Sequence, residues 1–395
     1  MKKSVSRDVN AKHTSGSGSD SQLKEISRLI TELVSLESPS GREQAAMRHL
    51  ERLFERYSIP ARVQRVGDRS NLISSVVPSK RPLLLLCSHM DTVPPEGSKV
   101  LKMKREPGRL NGLGACDAKA SIVAMLIAYK ELIRDGIGDR VALAFFVGEE
   151  ESGDGGMTYI RDGYRPQFAI VGEPTELALP WAQAGYLHAT FRASCSPRHA
   201  FCIHELDAIG LVLEAIRSVE RIMTDSSGEL NIKEKPNLFV QQIKGGSSDR
   251  FWYLRHDCLA SLLVNIHPTW DPDEFISRIR AEVKRLNKKA GNGNVGVKIE
   301  SWDPGFEFDS PVLRGAVVAA MRKNHMVQKT AYMRSWTDAA TLMWKRIQTV
   351  VFGPGSLQHA HSPTEHVLLD EIRIAASVYR HTALQLATVK ARISD

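Results

Sequence analysis

The sequence predicts an α/β protein: a mixed, largely parallel sheet flanked by helices and interrupted by an α+β unit of ferredoxin-like type. Two observations carry this reading. Short apolar runs alternate with stretches of helical period over residues 21–180 and again from 304, which is the rhythm of strands and covering helices in a parallel sheet. Between these segments the order becomes β-α-β-β-α-β, a complete two-layer module.

Taken in order, Leu23, Ile26, Leu29, Ile30, Leu33 and Val34 recur at helical spacing, and Ser40 with Glu43 reads as a capping box opening a second helix. Leu83–Cys87, Val141–Val147 and Phe168–Val171 read as buried strands, with a helix at Ala120–Ile133. The inserted module is expected to place strands at Tyr186–Ala193, Asn237–Ile243, Cys258–Ile266 and Val295–Ser301, and helices at Leu206–Met223 and Pro272–Leu286. A helix at Pro311–Lys323, a strand at Thr349–Phe352 and a helix at Leu369–Leu386 complete the first domain. Met1–Asp20 has no apolar signal core and ends in a Ser-Gly run, so it reads as a flexible tail. The divisions are therefore the tail (1–20), the main domain in two parts (21–180 and 304–395) and the inserted domain (181–303).

Composition narrows the function classes. With 395 residues, 42% of them hydrophobic and 25% charged, the chain is long and apolar enough for a buried core. The net charge of +8 comes without a block of five like charges or a basic stripe interleaved with aromatics, so no nucleic-acid partner is expected. No apolar run approaches the roughly 18 residues of a membrane span. The five cysteines contain no C-x-x-C pair, which argues against a disulfide framework or a thiolate zinc knuckle and for a reducing, cytoplasmic setting.

Working residues of open α/β sheets sit at the carboxyl ends of strands. Here the buried runs deliver Ser88-His89-Met90-Asp91, Gly148-Glu149-Glu150-Glu151 and Gly172-Glu173-Pro174-Thr175, and the late strand leads to His361-Ser362-Pro363. A glycine-rich turn, Gly112-Leu113-Gly114-Ala115-Cys116-Asp117, places Asp117 just before a helix. Two imidazoles with three carboxylates suit a pair of divalent ions such as zinc, one carboxylate bridging, and one further carboxylate is left for proton transfer. Adjacent Glu149 and Glu150 after a buried run would repel each other without a cation nearby. Glu151 is expected in solvent, and Lys119 is assigned a structural or charge-balancing role. No separate histidine is placed to activate Cys116 as a nucleophile. Gly112-Leu113-Gly114 lacks the third glycine of a dinucleotide site.

The ordered motifs S-H-M-D-T-V-P, G-x-G-A-x-D-x-K, G-E-E, V-G-E-P-T and A-H-S-P-T-E-H resemble the co-catalytic dizinc amidohydrolases and peptidases that include acetylornithine deacetylase, succinyl-diaminopimelate desuccinylase, aminoacylase and carboxypeptidase G. The resemblance spans residues 21–395. It implies a zinc exopeptidase-like catalytic domain with an inserted dimerisation domain, His89 and Glu173 on one ion, Glu150 and His361 on the other, and Asp117 bridging. Glu149 becomes the general base, and Asp91 the carboxylate that fixes the tautomer of His89. His199 falls where the resemblance places a histidine that reaches the partner subunit's site to bind the oxyanion. The ions would be zinc, with cobalt or manganese also compatible with these ligands.

The inserted domain departs from the family pattern. The asparagine of N-x-x-P is absent from Ser247-Ser248-Asp249-Arg250-Phe251-Trp252, and the arginine of D-x-R-x-x-P is replaced in Val264-Asn265-Ile266-His267-Pro268. Arg250 and Arg334 read first as surface arginines, with a planar fork holding a substrate carboxylate as the alternative role. The expected activity is hydrolysis of the amide of an N-acyl amino acid by an acetylornithine deacetylase-like homodimer. A dipeptidase or carboxypeptidase of the same fold and a non-catalytic, metal-containing binding homologue are the alternatives. Domain closure is expected, with hinges near Pro180 and Pro304.

Overall fold

The computed structural model describes residues 16–74, 80–95, 103–196, 199, 206–228, 230–231, 234–246 and 256–394. Its first helix, Gly16–Val34, turns Ile26, Leu29, Ile30 and Leu33 fully into the core. The helix begins inside the segment expected to be a flexible tail, where Asp20 and Lys24 pair one turn apart at 2.7 Å. Residues 1–15 lie outside the described residues.

The second helix, Gln44–Arg56, forms without the expected capping box. Glu43 is its N-cap and makes no side-chain cap; its carboxylate accepts from the Gly41 and Arg69 N–H groups instead. The Ser40 hydroxyl donates to Asp91 Oδ2 at 2.7 Å. A charged acceptor wins over a backbone amide, because hydrogen bonds to ionised groups are roughly twice as strong.

Six strands form the central sheet in the order Ala61–Val66, Arg69–Ser74, Val141–Phe146, Leu84–His89, Phe168–Val171, Gln348–Val351. The last four run parallel, and the first two form an antiparallel hairpin at one edge. Because side chains alternate along a strand, the central one feeds two cores. Leu84 and Leu86 join the core under Ala120–Arg134 and Leu369–Ser394, and Leu85 and Cys87 join the opposite core with Tyr159 and Leu342.

The second sheet is antiparallel, in the order Leu238–Gly245, Asp257–Ile266, Gly185–Cys195, Gly293–Asp303, which is the ferredoxin-like arrangement. Helices Ala208–Ser227 and Pro272–Lys289 cover one face and enclose a separate core around Phe191, Leu211, Leu262 and Ile279. Both helices are capped by aspartates: Asp207 accepts from Gly210 N–H, and Asp271 from Asp273 N–H ahead of Pro272. The chain enters this unit at Gly185, where a Cβ would collide with the Asp303 carbonyl and the Pro304 backbone, so the entering and leaving strands touch.

The hairpin, the helix Asp154–Arg161 and two three-stranded sheets have no counterpart in the sequence reading. One of these sheets pairs Leu179–Gln183 with Phe306–Glu307 and Thr330–Met333. The other pairs Arg109–Asn111 with Lys104–Glu106 and His366–Leu368. The latter matters for function, since it ties the loop after His361 to the turn before Asp117.

Candidate metal centre

Each candidate ligand stands where a central strand stops or a turn replaces it. His89 ends Leu84–His89, and Glu173 lies two residues past Phe168–Val171. Glu149 and Glu150 sit on a turn closed by Ser152 and Gly153 N–H groups donating to the Gly148 carbonyl. Gly148 holds φ +70°, a conformation glycine adopts without a Cβ penalty. Asp117 lies in the turn Ala115–Lys119, and His361 on the loop before His366–Leu368.

These residues converge. His89 Nε2 is 3.1 Å from Asp117 Oδ1 and 3.8 Å from Glu173 Oε2. His361 Nε2 is 3.5 Å from Asp117 Oδ2 and 2.9 Å from Glu150 Oε1. The two oxygens of one carboxylate thus face two histidines, each flanked by a carboxylate of its own. Ligand atoms of His89, Asp117 and Glu150 all lie within 4.8 Å of one another. Ligands about 2.0–2.1 Å from a tetrahedral ion stand roughly 3.3 Å apart, so the separations suit donors gathered around cations. Glu173 Oε1 is buried with no partner, an acceptor for which a cation would supply the missing contact.

The electrostatics point the same way. Burial pushes the carboxyls of Glu149 and Glu173 well above the ordinary range and raises Glu150 as well. Burial opposes a charge on His89, yet its contacts with Asp117 and Asp91 overcome this and raise it well above the usual histidine value. His361 is likewise raised to about 9 by Glu150 and Asp117 against the effect of burial. A divalent cation would compete with protons for these crowded acids and imidazoles.

Asp91 touches both the His89 ring and the glutamate turn. Its Oδ1 lies 3.4 Å from His89 Nδ1, which is also 3.1 Å from the Asp91 carbonyl oxygen. The same carboxylate accepts from the Glu149 N–H at 3.2 Å and from the Glu150 N–H at 3.1 Å. Burial alone would raise Asp91, but its partners His89, Ser40 and Glu150 hold it below the usual value.

Two residues escaped the sequence reading. Glu365, fully buried, accepts from the Cys116 N–H at 3.1 Å and the Asp117 N–H at 3.3 Å, and its carbonyl accepts from Gly112. It locks the turn of Asp117 to the loop of His361; its place four residues after His361 in A-H-S-P-T-E-H was the available signal. Asp338, also buried, raised by burial to about 7 and within electrostatic reach of His89 and Asp91, carried no signal in its local sequence.

The remaining assignments fall as follows. Lys119 is buried and donates to the Leu36 carbonyl at 2.8 Å, a structural role. Burial and the neighbouring Glu365 raise the Cys116 thiol, which is unsuited to a thiolate nucleophile. Glu151 is exposed. His199 is exposed, four residues past the end of Gly185–Cys195, a strand of the second sheet. Arg250 lies outside the described residues, and Arg334 donates to the Lys235 carbonyl at 2.8 Å. Asn265, in the place of the family arginine, donates to the Arg334 carbonyl at 3.0 Å.

A sequence model of Peptidase family M20/M25/M40 matches residues 85–385, most of the chain and all five convergent residues. The chain belongs to this family. As an M20 protein it is a hydrolase of amide or peptide bonds from a metal-dependent family. It is 24% identical over 368 residues to the [LysW]-lysine/[LysW]-ornithine hydrolase of Sulfurisphaera tokodaii, covering 93% of this chain and 97% of that protein. A tripeptidase from Staphylococcus aureus shares the fold with a TM-score of 0.75 at 18% identity, over 93% of this chain and 99% of the other. An M20 metallo-carboxypeptidase from Sulfolobus solfataricus does so with a TM-score of 0.71 at 16% identity, over 92% and 99%. Among the described residues, no helix of the M20 chain is long and apolar enough to cross a membrane.

Proposed function

We propose that this M20 hydrolase removes an acyl group from an N-acyl amino acid, as a homodimer carrying two divalent ions, zinc in the first instance. The observation that carries the reading is the Asp117 carboxylate facing His89 with one oxygen and His361 with the other. His89 and Glu173 would hold one ion, His361 and Glu150 the other, and Asp117 would bridge. Ions bound there would supply Lewis-acid polarisation of the scissile carbonyl and lower the pKa of a bound water.

The chain's own groups do the rest. Glu149, beside the centre with its carboxyl raised by burial, takes a proton from the attacking water and returns it to the leaving amine. Asp91 fixes the ring of His89 and the backbone of Glu149 together. His199 of a second copy would donate to the developing oxyanion. Dimerisation is supported by the strand Leu238–Gly245, which exposes Phe239, Val240 and Ile243 and forms an edge of its sheet among the described residues. Cys87, Cys116 and Cys258 are free thiols, which supports a reducing, cytoplasmic setting.

The Sulfurisphaera tokodaii relative is named a [LysW]-lysine/[LysW]-ornithine hydrolase, which supports an amino-acid product. A second reading, an exopeptidase acting on short peptides, is favoured by the tripeptidase and the metallo-carboxypeptidase among the structural neighbours. Membership of a hydrolase family, with Glu149 in place, sets aside the non-catalytic alternative. The deciding experiment is metal analysis coupled to a panel of N-acyl amino acids and dipeptides, with and without chelator. Glu149→Gln should retain the metal and lower kcat by about 10²–10⁴-fold. Full activity in that variant would remove Glu149 from the role of base.

A further inference from the structure

Two more histidines flank His361: His359 on the same loop and His366 at the start of the strand His366–Leu368. The rings of His359 and His366 lie with centroids 4.5 Å apart and planes inclined by 50°. His366 Nδ1 is 2.8 Å from the Thr364 carbonyl, which can only accept, so Nδ1 bears the proton and Nε2 keeps its lone pair. The His359 ring makes no hydrogen bond to another described residue, and both side chains are partly exposed. Neither belongs to the group of convergent ligands described above.

We propose that His359 and His366 form an accessory site for a transition-metal dication. Two imidazoles bound to one ion at about 2.0–2.1 Å place their ring centroids roughly 4.5–5.2 Å apart, for angles at the metal between about 90° and 109°. The observed separation falls at the lower end of that range. Negative charge lies close by: Glu371 accepts from the Gly355 N–H at 3.0 Å and feels both His366 and Glu176. Two nitrogen donors with water completing the shell select zinc, nickel and above all copper, and discriminate against magnesium and calcium. An ion here joins residue 359 to residue 366 and closes the segment on which His361 stands. His366 is anchored by its strand pairing with Asn111, so the closure would fasten that segment to the sheet beside the Asp117 turn.

The test uses the full-length, metal-loaded protein, freed of loosely held ions. Zinc, nickel, copper and magnesium are titrated separately against the wild type, His359→Gln and His366→Gln, with bound metal counted and amide exchange followed over residues 356–366. The expected result is one weaker equivalent beyond the resident metal, strongest for copper and absent for magnesium, with slowed exchange in this segment. Either substitution should abolish that equivalent and the slowing while the resident metal stays in place, which also reports that the variant is folded. Equal extra binding by wild type and variants, equal slowing with magnesium, or unchanged exchange in the wild type overturns the site and leaves a packing contact between two rings. The resident metal content is read in the same samples, so loss of the main centre is distinguishable from loss of this one.

Discussion

Asp91 orients a histidine and two glutamate backbones with one carboxylate, and Glu365 does the equivalent for the opposite side of the centre. Glu365→Ala would leave the Cys116 and Asp117 amides buried without an acceptor, costing about 1–3 kcal/mol of stability. Since such supporting contacts orient ligands, metal retention should also weaken by about 10–100-fold. Glu365→Gln keeps an acceptor and should recover most of both. Urea unfolding and chelator competition measure the two effects, and an alanine variant that holds metal like the wild type would show that Asp117 needs no such support. Asp338 gives a pH signature. Burial holds its proton to about pH 7 in the folded chain, against 3.8 when unfolded. Between these values the folded state binds more protons, so the associated stability is full below pH 3.8 and is lost as pH rises through about 7. In chelated protein, the melting temperature of Asp338→Asn relative to wild type should therefore climb from about pH 4 to about pH 7 and then level off. A flat difference would contradict the burial argument.

At the scale of elements, Leu84–His89 does the positioning, since all six of its residues are buried and both faces contribute to cores. Leu86→Ala should cost about 2–5 kcal/mol, read from the shift in the urea midpoint, because a fully enclosed side chain leaves a cavity that rigid neighbours fill poorly. A cost near zero would mean that the strand can repack without its centre. Such buried strands and the amphipathic helices were legible in the sequence because their apolar periodicity is long and continuous. The short sheets were not: Arg109–Asn111 and His366–Leu368 are three residues each, too brief to show a period, and they pair across more than 250 positions. Ser40 was misread for a related reason. A capping box is a local inference, whereas the partner that captured the hydroxyl, Asp91, is 51 residues away.

Across the whole molecule, the inserted unit connects through Gly185 and Asp303–Pro304–Gly305, and the indole N–H groups of Trp336 and Trp344 both donate to the Asp303 carboxylate, at 2.7 and 2.8 Å. Trp336 also packs against Gly153, next to the turn of Glu149 and Glu150. Closure about this junction should contract the protein when a substrate analogue binds, and small-angle scattering curves that superimpose with and without analogue would exclude it. Dimerisation is tested at the sheet edge: Val240→Asp with Ile243→Asp should yield a monomer in sedimentation. If His199 serves the neighbouring subunit, that monomer should also lose activity while keeping its metal. A double variant that sediments as the wild type would point to another surface.

The order of the motifs along the chain, their position after buried runs and the change of rhythm near residue 181 were determined by the sequence alone, because periodicity and strand-end chemistry are local properties. Tertiary structure decided what those residues do to one another. It set one aspartate between two histidines 272 positions apart, His89 and His361, and it brought Glu365 against the Asp117 turn and Asp338 within electrostatic reach of His89 and Asp91. The reason is physical: burial and proximity, which set hydrogen-bond partners and shift proton affinities, exist only once distant segments have been packed together.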